Sequence, residues 1–74
     1  MGDHQGFTVA LRGYDIAEVE AMLERIRKAA ASTDQALRAS VREELNQPAF
    51  RTRLRGYARI EVDDYLRRAV DRLA

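Results

Sequence analysis

Residues 7–25 read FTVALRGYDIAEVEAMLER, and the same pattern returns as FRTRLRGYARIEVDDYLRR at residues 50–68. The two stretches align without a gap at a constant offset of 43, with nine identities in nineteen positions. Agreement of this kind indicates an internal repeat, which then organises the whole chain. The sequence therefore predicts a disordered tail at 1–6 and one domain at 7–74, built from copy 1 (7–25) and copy 2 (50–68).

The length and composition narrow the class of protein. The chain has 74 residues and no cysteine, so neither a disulfide framework nor a thiolate metal site can form. No apolar run approaches the ~20 residues of a membrane-spanning helix. These features favour a small cytoplasmic protein, and chains of this size commonly oligomerise to gain core.

Each copy reads as a short extended arm, a turn and a helix. Gly13 stands where the first arm must swing into its helix, a position where glycine often supplies a positive φ. Asp15 and Glu18 have the spacing of a capping box, in which Asp15 is the N-cap. Copy 2 has Ala58 in place of Asp15, so its helix should start less firmly. We expect each arm to dock against the helix that follows it.

The spacing of apolar residues predicts an all-α fold with two helices, at about 15–45 and 58–74. Apolar residues recur every three or four positions in both segments, as on one face of a helix. The stripe on the first helix is longer than the second helix can cover, which predicts a homodimer or higher assembly. A helical hairpin and a coiled-coil-like exchange between chains both fit. The predicted packing or dimer-interface residues are Val19, Leu23, Ile26, Leu37, Val62, Leu66 and Leu73.

Charge is unevenly distributed along a chain of net charge +1. Four arginines, at positions 51, 53, 55 and 59, fall within nine residues that contain no acid. An extended arm would place Arg51, Arg53 and Arg55 on one side, which suits an anionic surface. A solvated face is the simpler interpretation of the same cluster.

The repeated motif F-x-x-x-L-R-G-Y, followed by E-V and a leucine, resembles the N-terminal lipid-binding motif of the DivIVA family of bacterial cell-division and polar-growth scaffolds. The resemblance covers about 19 residues in each copy, half of the chain. In that family the motif forms a loop before a parallel coiled coil, and the loops of two chains cross. The family's loop tip carries an aromatic residue and an arginine that contact anionic membrane. Here leucine replaces the aromatic residue, and the long coiled coil is absent.

The resemblance implies roles for named residues. The tip positions are Leu11 and Arg12 in copy 1, and Leu54 and Arg55 in copy 2. Gly13 and Gly56 would shape the loops, and Tyr14 and Tyr57 would pack them.

Two interpretations of the arm residues stay open. Phe7, Leu11, Phe50 and Leu54 either seal the ends of a helical bundle or insert into a bilayer. Arg12 and Arg55 either pair with carboxylates such as Glu18 and Glu61 or bind lipid phosphate.

Three classes of function can be compared. An enzyme is disfavoured because His4 is the only histidine and lies in the predicted tail, and no phosphate-binding glycine loop or cofactor motif is present. A small basic-arm nucleic-acid-binding helical protein is an alternative, although the chain is nearly neutral overall. The favoured class is a non-enzymatic DivIVA-type scaffold linked to cell division, with contacts to itself, to another division protein and peripherally to the inner face of the cell membrane.

Overall fold

The structure, a computed structural model, describes residues 6–74 and contains both helices and strands. In chain order the elements are β1 (Val9–Tyr14), α1 (Ile16–Ala30), α2 (Gln35–Asn46), β2 (Thr52–Tyr57) and α3 (Arg59–Leu73). The prediction of an all-α, two-helix hairpin is therefore wrong: within the described range there are three helices and a two-stranded sheet. Of the predicted tail at 1–6, all but Gly6 lies outside the described residues.

The arms are strands because they pair with each other rather than with their own helices. Val9 lies opposite Tyr57 and Tyr14 lies opposite Thr52, so residue numbers run in opposite directions along most of the pairing. Tyr14, the last residue of β1, also lies opposite Tyr57, the last residue of β2. The backbone amides of an extended arm need partners, and each arm supplies them to the other.

The two arms fold back on themselves and interlock. Gly56 is the sheet partner of Ala10 and also lies against Gly13, so the first arm must reverse between residues 10 and 13. Gly13 in turn lies opposite Arg53 and against Gly56, so the second arm reverses as well, although Arg12 has a positive φ and the equivalent Arg55 does not. Both the antiparallel pairs and the additional Tyr14–Tyr57 pair follow from this crossing.

The predicted helix over 15–45 is broken at residues 31–34. Ser32 Oγ accepts a hydrogen bond from Asp34 N at 2.9 Å, and the Asp34 carboxylate accepts from Ala36 N and Leu37 N. Asp34 is thus the N-cap of a new helix, α2. Serine and aspartate side chains compete with helical backbone bonds in this way, and here they end α1 and start α2.

The break lets α2 return and cover the core. Arg25 of α1 contacts Glu44 of α2, whereas Arg38 reaches Ala29, so α2 runs antiparallel to α1. The buried core combines all three helices and one arm tyrosine: Val19, Ile26, Ala29, Val41, Leu45, Tyr57, Val62, Leu66, Ala69 and Leu73.

Most of the predicted packing residues lie in this core, with two differences. Leu23 is half-buried and packs against the core, and Leu37 is exposed at the start of α2. The homodimer was predicted from a continuous stripe on one long helix. Because that helix is broken and α2 covers the stripe within one chain, this reason for expecting a dimer no longer holds.

Candidate functional site

The arms are held by the glutamates of the repeated motif, each of which binds the arm of the other copy. Glu18 Oε1 accepts a hydrogen bond from Arg51 N at 2.8 Å, and Glu61 Oε1 accepts from Thr8 N at 2.7 Å. The offset of 43 relates these two contacts to each other. Each arm therefore docks on the helix of the other copy, and the expectation that it would dock on its own helix is wrong.

The motif tyrosines repeat the same exchange. The Tyr14 hydroxyl donates to Asp63 Oδ1 at 2.8 Å, and the Tyr57 hydroxyl donates to Glu20 Oε2 at 2.5 Å. The hydrogen bond to Glu20, together with burial, raises the pKa of Tyr57 to about 12. Burial, followed by the hydrogen bond to Asp63, raises the pKa of Tyr14. Each tyrosine is thus a buried or half-buried anchor between one arm and the opposite helix.

The two phenylalanines pack beneath the arms. The ring centroids of Phe7 and Tyr57 are 5.3 Å apart, and those of Phe50 and Tyr14 are 5.1 Å apart. Phe7 also meets Tyr65 of α3 edge-on at 5.9 Å. Of the two interpretations of the apolar arm residues, packing in the bundle therefore describes Phe7 and Phe50.

Gly13 and Gly56 allow the arms to touch at the crossing. A Cβ built on Gly13 would lie 2.3 Å from the backbone carbon of Gly56, and one on Gly56 would lie 2.2 Å from Tyr14 O. Neither glycine has a positive φ; the non-glycine residue with a positive φ in the described chain is Arg12, at 60°. Glycine is needed here for the close approach of two backbones, and the prediction of a positive φ at Gly13 is wrong.

The tips of the crossed arms, defined as Leu11, Arg12, Leu54 and Arg55, are exposed. Leu11 lies opposite Arg55 in the sheet, so the two tips are adjacent. The leucine side chains are 71% and 76% exposed, values that leave most of each side chain in water. Within residues 6–74, Arg12 and Arg55 make neither an ion pair nor a side-chain hydrogen bond. Glu18 and Glu61, their suggested partners, bind the arms instead.

Two arginines of the basic segment, Arg51 and Arg53, have carboxylate partners. Arg53 Nε donates to Asp15 Oδ2 at 2.7 Å, and Arg51 Nε lies 3.6 Å from Glu18 Oε2. The Arg53 hydrogen bond, with that from Glu18 N, lowers the pKa of Asp15. Asp15 thus caps α1 and neutralises an arginine of the opposite arm. The other two arginines of the segment, Arg55 at the tip and Arg59 at the start of α3, form no ion pair within residues 6–74.

Sequence reasoning found the arms, the glycines and the cap, but it missed the acceptors of the tyrosine hydroxyls. Glu20 and Asp63 occupy equivalent positions of the two copies, and both are acidic. That shared negative charge was the feature of the sequence that could have identified the acceptors. Its meaning depended on knowing that the arms cross.

Comparison with models of known families, with curated proteins and with solved structures gave no match. The DivIVA resemblance therefore remains a motif-level hypothesis carried by the two arms. None of the helices within the described residues has the length and apolar character required to span a membrane.

Proposed function

We propose that this chain is a non-enzymatic scaffold module of the DivIVA type, linked to bacterial cell division or polar growth, which attaches peripherally to an anionic membrane through its crossed arm tips. The observation that carries the proposal is the pairing of two exposed leucines with two arginines that have no partner among the described residues. The motif resemblance supplies the biological setting, at the cytoplasmic face of the cell membrane.

The chemistry of the tips suits shallow insertion. Burying a leucine that is exposed in water gains about 1.5–3 kcal/mol, and each arginine near an anionic surface adds about 1 kcal/mol. Weak anchoring of this kind needs more than one contact. Leu11 and Leu54 sit on adjacent tips, so both can enter one patch of the interface together.

Nucleic acid is the weaker alternative partner for this surface. Arg51 and Arg53 are engaged by Glu18 and Asp15, which leaves fewer cations for phosphate than the sequence cluster suggested. Exposed leucines add nothing to a phosphate contact but favour a bilayer.

Sedimentation with liposomes containing anionic lipid tests the proposal. The wild-type chain should sediment at low salt, and the double variant Leu11→Glu/Leu54→Glu should stay in the supernatant. Leu37→Glu is the matched control, because Leu37 is exposed on α2 and remote from the arms; it should bind like the wild type. Wild-type chain that does not sediment, or a double variant that still does, would contradict the proposal. Binding to duplex DNA in a parallel experiment would favour the alternative.

A further inference from the structure

Helix α2 fills a groove between α1 and α3. The wall of this groove includes Leu66, Ala69 and Leu73 of α3 with Ala29 of α1. The solvent exposure of these four side chains lies between 0% and 3%. Their burial shows how fully a third helix covers this side of the α1–α3 pair.

The repeat generates a second groove on the other side of the same pair. The offset of 43 makes Leu23, Ile26 and Ala30 of α1 the equivalents of Leu66, Ala69 and Leu73 of α3. It also makes Arg72 of α3 the equivalent of Ala29 of α1. These four residues line one open groove, referred to below as the open groove. It is the repeat-related equivalent of the groove that α2 fills, and no described helix covers it.

One motif arginine faces a different environment in each copy. Arg25 contacts α2, because its Nε donates a hydrogen bond to Glu44 Oε1 at 3.0 Å. The equivalent Arg68 has no carboxylate from a third helix and pairs at 2.6 Å with Asp64 of its own helix. The same arginine is present in both copies, but it pairs with a third helix in copy 1 and with its own helix in copy 2.

The rim of the open groove is more basic than that of the filled one. Arg27 and Arg72 stand where the filled groove has Val70 and Ala29. The Arg72 guanidinium carbon lies 5.5 Å from the centroid of the Tyr65 ring, which also lines the open groove. Arg27 is paired with Glu24 of its own helix, so Arg72 supplies the positive charge that would attract an acidic occupant.

We propose that the open groove binds an amphipathic helix of another protein, with the chemistry that α2 shows in its own groove. The helix would present two apolar residues four positions apart, as Val41 and Leu45 do, and a glutamate beside the second, as Glu44 does. That glutamate would pair with Arg68. An acidic residue on its flank would face Arg72.

The probe is a peptide of residues 34–47, held helical by a staple across the exposed positions Ala39 and Glu43. Titrated into the isotopically labelled full chain, it should shift NMR signals of Leu23, Ile26 and Tyr65 and leave those of Leu66 and Leu73 unchanged. Replacing Glu44 by Gln in the peptide, or Arg68→Ala in the chain, should raise Kd about three- to fivefold, as expected for an exposed ion pair. Arg67→Ala is the control, because Arg67 lies on the side of α3 that faces α2, in a cleft shared with Leu45; it should leave Kd unchanged.

The variant Ala30→Glu provides a second test of peptide binding in the open groove. Ala30 is exposed at the end of α1, so the variant should fold, and a carboxylate there should weaken peptide binding at least tenfold. The proposal is overturned if the peptide causes no shifts, or if the shifts centre on Leu66 and Leu73, which would mean displacement of α2. Shifts at Leu23 and Tyr65 that depend on protein concentration without peptide would assign the groove to a second copy and would also overturn it.

Discussion

Gly13 and Gly56 are in backbone contact where the two arms cross, and neither position has room for a methyl group. A Cβ on Gly13 would lie 2.3 Å from the Gly56 carbon and 2.4 Å from Tyr57 O. Backbone atoms on both sides are fixed by the sheet, so the clash cannot be relieved by a side-chain rotation. The crossing of the arms therefore depends on both glycines.

Gly13→Ala and Gly56→Ala should each lower the free energy of unfolding by about 3 kcal/mol, at the upper end of overpacking costs. Chemical denaturation followed by circular dichroism measures the change. Gly6→Ala is the control, because nothing lies within 4 Å of the added Cβ. The φ of Gly6, +69°, is the remaining source of strain in this variant, and it costs about 1–2 kcal/mol. Equal destabilisation at positions 6 and 13 would contradict the crossing.

The Tyr57–Glu20 hydrogen bond should make stability depend on pH in the alkaline range. The pKa of Tyr57 is about 12 in the folded chain against 10.0 for an unperturbed tyrosine. Below pH 10 the contribution is fully present; between pH 10 and 12 the unfolded chain loses this proton while the folded chain keeps it, so stability falls with rising pH. Tyr57→Phe should lower the free energy of unfolding by about 1.5 kcal/mol at neutral pH and flatten the alkaline decline.

Urea titrations at several alkaline pH values measure both effects of Tyr57→Phe. Tyr65→Phe is the control, because the Tyr65 hydroxyl has no hydrogen bond within residues 6–74. A decline that is as steep in the Tyr57 variant as in the wild type would show that another group is responsible.

Adding a cap to α3 should stabilise the chain. Ala58 has φ −56° and ψ 122°, nearly the −53° and 123° of Asp15, but makes no side-chain cap hydrogen bond. That the second helix starts less firmly than the first stays a prediction, which the following variants test. Ala58→Asp should raise the free energy of unfolding by about 0.5–2 kcal/mol, and Asp15→Ala should lower it by a similar amount. Thermal denaturation of both variants tests this, and a loss of stability in Ala58→Asp would refute it.

Arg38 joins the carboxyl-terminal ends of α1 and α3. Its Nη1 donates to Ala29 O at 3.2 Å and its Nη2 to Arg72 O at 3.1 Å. A planar guanidinium reaches both helix ends, whereas a lysine ammonium is a single point donor. Arg38→Lys should therefore lower the free energy of unfolding by about 1 kcal/mol. Arg67→Lys, on the exposed face of α3, should have no effect, and equal losses in the two variants would argue against the clamp.

The mass of the isolated chain tests whether the core is complete within one molecule. With α2 covering the stripe that suggested a homodimer, we expect light scattering to give about 8.5 kDa, the mass of one chain. Twice that mass, unchanged on dilution, would support the homodimer predicted from the sequence.

The local features of the chain were predictable, because each depends on neighbouring residues. The repeat, the cap at Asp15 and the apolar faces of the helices could all be read from spacing. The end of α1 was also encoded locally, in Ser32 and Asp34, but the apolar spacing continued through it and favoured one long helix. The strands could not be predicted in the same way, because Val9 finds its partner 48 positions away at Tyr57.

The candidate site shows the same division between local and distant information. Leu11 and Phe7 looked alike in sequence, four positions apart on one arm. Only the fold separates them, since Phe7 meets Tyr57 from the other copy while Leu11 projects into solvent.

The interlocked arms belong to one polypeptide, and this determines how the tips respond to dilution. A two-chain version would come apart at low protein concentration, because its halves must find each other by diffusion. Here residues 31–49 tether the halves, so the second arm is always within reach of the first. A single molecule thus carries both tips, and the two tips stay adjacent at any protein concentration.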